Sequence, residues 1–92
     1  MTKQSFALGR TLATPGALVI LEKLGLAPQT LFDRHLACDW SDMVEEDQEA
    51  NRQAVKNGSR VFSSYRYADD VKIWVITEAD RSATTILLPD EY

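Results

Sequence analysis

The residues best suited to chemistry gather in the C-terminal half of the chain. Glu78, Asp80 and Arg81 crowd one short stretch between two apolar runs. Three ionisable groups at one connection can form a local ion pair or help to hold an anion. Arg60, Arg66 and Lys72 stand close by in sequence, interleaved with Phe62 and Trp74. If the strand registers bring these five to one face, they form a basic, aromatic platform. Such a platform suits an anion, a nucleic-acid strand or an acidic partner. A second group is acidic: Glu45, Glu46, Asp47 and Glu49. Calcium-loop spacing is absent, so the run reads as a helix face able to complement a basic partner surface. The candidate binding residues are therefore Arg60, Arg66, Trp74, Glu78, Asp80 and Arg81, with the acidic face as a second surface. No catalytic residue, no metal-ligand set and no cofactor is expected.

Two other residue types invite a chemical role and do not sustain one. His35 is the only histidine, set among Leu31, Phe32 and Leu36. It reads as a buried, hydrogen-bonded histidine rather than a base or ligand, since no second ligand lies at a suitable spacing. With Cys38 it makes H-x-x-C, but two such groups do not hold a tetrahedral metal. Cys38 as a nucleophile would need an electropositive setting, and Asp39 and Asp42 make its surroundings acidic. Nothing matches a nucleotide-binding glycine loop, a catalytic triad signature or a zinc module.

The elements that must position these residues follow from pattern. Val71–Thr77 is apolar on both alternating sets at its centre, as an interior strand is. Glu78–Arg81 reads as a connection, and without glycine a two-residue type I′ turn is disfavoured. Ser82–Leu88 is the return strand, ended by Pro89. Arg60–Tyr67 is a further strand, joined through Ala68–Asp70. Upstream, Thr14-Pro15 starts a helix that stops at Gly25. Pro28 opens a second helix to about Ala37. Ser41 or Asp42 caps a third, Asp42 and Glu45 having capping-box spacing, and Gly58 stops it. Ser5–Leu12 is a weaker strand candidate beside the hairpin. The expected architecture is one α+β domain spanning residues 1–92, in the order β-α-α-α-β-β-β. Its three helices would pack on one face of a three- to four-stranded antiparallel meander.

Composition narrows the function classes. The chain has 92 residues, 45% of them hydrophobic, and a net charge of −4. That charge weighs against non-specific nucleic-acid binding, which depends on an excess of Lys and Arg. One cysteine allows no intramolecular disulfide and fits a reducing compartment. The first residues lack the apolar core of a signal peptide, and the longest aliphatic run, Ala17–Leu21, is far too short to span a bilayer. A cytoplasmic protein without a membrane partner is expected.

Three segments carry a resemblance: LGRTLATPGAL (Leu8–Leu18), RHLACDW (Arg34–Trp40) and KIWVITEADRSATTILLPDEY (Lys72–Tyr92). With the EED and SSYRY segments, they resemble a family of small bacterial proteins carried on plasmids and integrated mobile elements. Members are often labelled "plasmid-related protein" or, misleadingly, a type I restriction subunit M. The chain departs from that pattern at Cys38 and Ser41, where glycine is usual. The resemblance implies a mobile-element setting and no established activity. The restriction label is excluded because the chain lacks an adenosylmethionine-binding βαβ unit.

The expected function is therefore that of an accessory protein acting by protein binding, in counter-defence or regulation, without catalysis. Helices followed by a meander also resemble, in outline, the small barnase- and RelE-like ribonucleases. That analogy implies Glu78, Arg60, Arg66, Arg81 and Tyr65 as the residues around a scissile phosphate. A small nucleic-acid-binding regulator is a third alternative. An exposed sheet edge would also allow a homodimer.

Overall fold

The structure, a computed structural model, describes residues 6–92. The first residue of the Ser5–Leu12 strand candidate lies outside the described residues. The strand is shorter and later than expected: β1 spans Arg10–Ala13, one residue past the end of that segment.

Helix α1 (Pro15–Leu24) begins where capping chemistry places it. The Thr14 hydroxyl accepts from the Ala17 N–H at 3.2 Å, and Pro15 takes the first helical position, where its missing N–H removes nothing. Gly25 ends the helix at φ 70°, the left-handed conformation that glycine adopts without strain. Helix α2 (Pro28–Leu36) starts on Pro28 in the same way.

Helix α3 (Glu45–Asn57) corrects the expected start. Its N-cap is Val44, with no side-chain cap, and neither Ser41 nor Asp42 serves. Residues 40–43 instead close a turn through Met43 N–H to the Trp40 carbonyl, 2.9 Å. The Asp42 carboxylate is engaged elsewhere: it accepts from the Arg66 N–H at 3.1 Å. A tertiary bond thus takes the side chain that local spacing had assigned to the helix.

Strands β2 (Val61–Ala68), β3 (Val71–Thr77) and β4 (Ala83–Leu87) form an antiparallel meander, followed by a short 3₁₀ turn, Pro89–Glu91. The sheet as a whole is mixed, not antiparallel. Its order is β1-β4-β3-β2, and β1 runs parallel to β4. The reason is the connection. The three helices lead the chain from one edge of the sheet to the other, so β1 and β2 run the same way. The meander then returns β4 beside β1 with the same direction. Parallel neighbours need a long crossover of this kind. Patterning within a strand carries no information about that direction.

The helices lie on one face of the sheet. Ala17, Leu21, Leu31 and Phe32 pack with Tyr65, Ile73, Val75 and Ile86. Ala54 of α3 joins Phe6, Trp40 and Val61 in a second cluster. Gly9 lets the N-terminal segment cross the β3–β4 connection: at φ 66° it lies against the Arg81 carbonyl, where a Cβ would collide.

Candidate functional site

The register of the β2–β3 ladder decides which side chains meet. Phe62 pairs with Ile76, Ser64 with Trp74, and Arg66 with Lys72. Because alternate residues share a face, Phe62, Ser64, Arg66, Lys72 and Trp74 stand together on the face opposite the helices. Further along that face Ile76 and Leu87 are buried, so the accessible part is the half around these five residues. Trp74 is the centre. Its ring meets Phe62 edge-on, centroids 4.8 Å apart, and Tyr92 at 5.9 Å. The Arg60 guanidinium lies 5.6 Å over the Tyr92 ring.

One wall of the site comes from the segment before α3. Asp42, Met43, Val44 and Asp47 line a groove of about 430 Å³ with Phe62, Trp74, Arg66 and Lys72. Val44 is 65% exposed and adds apolar surface to that wall. A second depression, about 510 Å³, lies at the Asp69–Asp70 turn and shares Lys72 and Pro89 with the first. Arg66 and Lys72 face each other directly across two strands. Like charges so placed repel, and among the described residues neither makes a salt bridge. The accessible face thus offers two cations over an aromatic floor, bounded by carboxylates.

Only some of the sequence-predicted residues come to this place. Arg60, Arg66 and Trp74 do. Glu78, Asp80 and Arg81 lie at the β3–β4 connection. Arg81 is consumed there: its guanidinium donates to the carbonyls of Ser59 (2.6 Å) and Ala54 (3.2 Å) at the end of α3, and to its own turn. Its backbone is left-handed, φ 61°. The Ala54 carbonyl already accepts from the Gly58 and Ser59 N–H groups, so the guanidinium adds a cation that complements the C-terminal end of the helix dipole. Asp80 accepts from the Ser82 N–H at 3.0 Å, and its bonds to Ser82 hold its carboxyl below the usual range. The acidic face divides as well. Glu45 and Glu49 both pair with Arg52, at 2.5 and 2.8 Å, whereas Asp47 lines the groove.

Behind the sheet lies a buried chain of polar groups. The Thr84 hydroxyl donates to the Leu8 carbonyl at 2.7 Å. Thr77 must then donate to Thr84 (2.7 Å), and His35 Nε2–H to Thr77 (2.8 Å). His35 Nδ1 accepts from Ser63 (2.5 Å), which in turn accepts from the Trp40 indole N–H at 2.8 Å. A carbonyl can only accept and an indole can only donate. The two ends therefore set every proton between them and assign His35 as the neutral Nε2–H tautomer. Burial pushes His35 down to about 4, consistent with that neutral form. Both ring nitrogens are occupied, and none of this chain reaches the groove.

Tyr65 is fully buried, and burial raises its hydroxyl above the ordinary value. The Arg34 guanidinium sits 4.2 Å over its ring. Arg34 also donates to Asp39 (2.7 Å) and to the Tyr67 hydroxyl (3.0 Å), and its bond holds the Asp39 carboxyl below the usual range. The β2–β3 pairing shifts register between Arg66 and Ala68, which re-aims Tyr67.

Compared with known proteins, the chain matches no family model, no curated protein and no solved structure. Among the described residues no group of three or more His, Cys, Asp or Glu side chains could hold a metal ion, and no helix is long and apolar enough to cross a membrane.

Sequence reasoning missed Ser64, Asp42, Val44 and Tyr92 as parts of the site. Ser64 could have been found by extending the alternation of β2. The other three come from outside the sheet, and no local signal marks them.

Proposed function

We propose that this chain is a small cytoplasmic accessory protein of a mobile genetic element that binds another protein, in counter-defence or regulation, without catalysis of its own. The observation that carries this reading is the grouping of Phe62, Arg66, Lys72 and Trp74 on one accessible sheet face beside the groove. Aromatic rings and Arg are the residue types that anchor protein interfaces. The mixture of charge favours a protein surface. A nucleic-acid strand carries one sign throughout, and Asp42 and Asp47 in the groove wall would repel it. The mobile-element setting rests on the resemblance. Cys38 bears on it: where the resembling proteins carry glycine, its backbone has φ 58°, the conformation that favours glycine.

The ribonuclease alternative needs Tyr65 and Arg81 at a shared surface with Glu78. Tyr65 is buried and Arg81 is bonded to carbonyls, which removes two of its five residues from reach.

The test is capture of partners on immobilised wild-type protein, on Trp74→Ala and on Arg66→Glu, with RNA cleavage measured in parallel. A protein retained in stoichiometric amount by the wild type and lost from both variants supports the reading. Metal-independent RNA cleavage, abolished by Arg66→Glu, with no protein retained, overturns it.

A further inference from the structure

The two edges of the sheet are treated differently. At the β2 edge, side chains take the place of a neighbouring strand. The Asn51 amide bonds both the N–H (3.1 Å) and the C=O (2.5 Å) of Phe62. Asp42 accepts from the N–H of Arg66. Covering an edge in this way blocks pairing with another chain.

The β1 edge has no such cover among the described residues. Arg10 donates its N–H to Ser82 and Thr14 its N–H to Ile86, both at 3.0 Å. Even-numbered residues therefore turn their backbone groups toward β4, and Thr11 and Ala13 turn theirs outward. No side chain among the described residues bonds them. Leu12, between them, is 41% exposed on the same face as its partner Thr85. The strand has no proline, no lysine and no bulge to deter pairing.

We propose that β1 pairs antiparallel with β1 of a second copy, about a two-fold axis through Leu12, to give a continuous eight-stranded sheet. The geometry closes on itself. With Leu12 on the axis, Thr11 faces Ala13 of the second copy, and these are the two residues whose N–H and C=O groups point outward. Both exchange a pair of hydrogen bonds, so the junction makes four. The two Leu12 residues then form a non-hydrogen-bonded pair, the type in which side chains approach most closely. The same register sets Arg10 opposite Thr14 of the other copy. The Thr14 hydroxyl donates to Glu91 at 2.5 Å, so a carboxylate waits beside the incoming guanidinium. Arg10 makes no salt bridge among the described residues. The symmetric contact is isologous and closes at two copies. The accessible faces of both sheets then lie on the same side of the dimer. This inference stands on the edge alone and does not depend on the binding reading above.

Sedimentation equilibrium between about 10 µM and 1 mM tests it. A junction of four hydrogen bonds and one Leu–Leu contact is small, so a concentration-dependent monomer–dimer equilibrium is expected. Ala13→Pro removes an outward N–H that no internal bond uses, and Leu12→Lys places a charge on the axis. Each should raise the dimer dissociation constant about tenfold or more, with far-UV circular dichroism unchanged. Leu12→Cys in a Cys38→Ser background should oxidise to a disulfide-linked dimer at low concentration. A chain monomeric throughout that range, a dimer unaffected by Leu12→Lys, or a Leu12→Cys variant that does not cross-link overturns the proposal. The Lys and Cys variants alter an exposed side chain, so they decide the matter even if Ala13→Pro fails to fold.

Discussion

The two faces of this sheet are built from the same strands and have opposite characters. The covered face presents Val61, Ser63, Tyr65, Ile73, Val75, Thr77, Thr84 and Ile86, each with no exposed surface. It has no charged residue, and Ser63, Thr77 and Thr84 are tied into one directed chain through His35, while the buried Tyr65 hydroxyl has no hydrogen-bond partner among the described residues. The other face presents Phe62, Ser64, Arg66, Lys72 and Trp74, with two cations side by side that form no salt bridge among the described residues, Arg66 donating only to the Asp69 carbonyl at 3.4 Å. One face is sealed under the helices; the other leaves the Arg66 and Lys72 charges exposed beside the half-buried rings of Phe62 and Trp74. The contrast shows that the buried histidine, the residue most suggestive of catalysis, is structural. The half-buried Trp74 is the residue on which the proposed binding reading turns.

The sharpest way to break this contrast is on the covered face. His35→Ala leaves the Ser63 and Thr77 hydroxyls short of partners and opens a cavity beneath Phe6, whose ring meets His35 edge-on at 5.2 Å. Unpaired buried polar groups and a core cavity together should cost about 4 kcal/mol, read as a shift in the urea midpoint.

Next in size is a pH effect on the wild type. His35 has a folded-state value of about 4, against an ordinary 6.5. As pH falls below about 6.5 the unfolded chain takes up a proton that the folded chain refuses. Stability is therefore full above that pH, declines as pH falls toward 4, and loses no more to this group below it. The loss from this group is about 3 kcal/mol. Urea unfolding of His35→Gln, compared with wild type across pH 4–7, should show that component removed.

Arg81→Ala should cost about 1–2 kcal/mol, through lost bonds to the end of α3, and should leave partner capture intact. Retention of the partner by this variant separates the connection from the binding face. The smallest stability effect belongs to the open face. Trp74→Ala should lower stability by roughly 1 kcal/mol and yet abolish capture. A larger loss of stability would mean that the open face belongs to the core.

Legibility in the sequence differs along the same line. The strand Val71–Thr77, the Thr14-Pro15 start of α1 and its Gly25 stop follow from alternation, capping and left-handed backbone. These are local rules, and local chemistry decided them. Asp42 shows where such rules fail. It has capping spacing to Glu45, and a backbone N–H twenty-four residues away takes it instead. Arg81 fails likewise: it was grouped with Glu78 and Asp80 by proximity in the chain, but the end of α3 is where its donors go. The association of Arg60, Arg66, Lys72 and Trp74 was conditional on register, and register is settled by pairing between strands.

By itself, the order of residues determined where α1 begins and stops, where α2 opens, where α3 stops, which strand is interior, and that His35 is buried. Capping, glycine conformation and hydrophobic alternation act within a few residues, so they can be read along the chain. Only the tertiary structure decided that β1 runs parallel to β4, which face carries Trp74 with both cations, and that side chains of Asn51 and Asp42 cover the β2 edge. These depend on the path of three helices across the sheet and on hydrogen bonds between residues far apart in the chain.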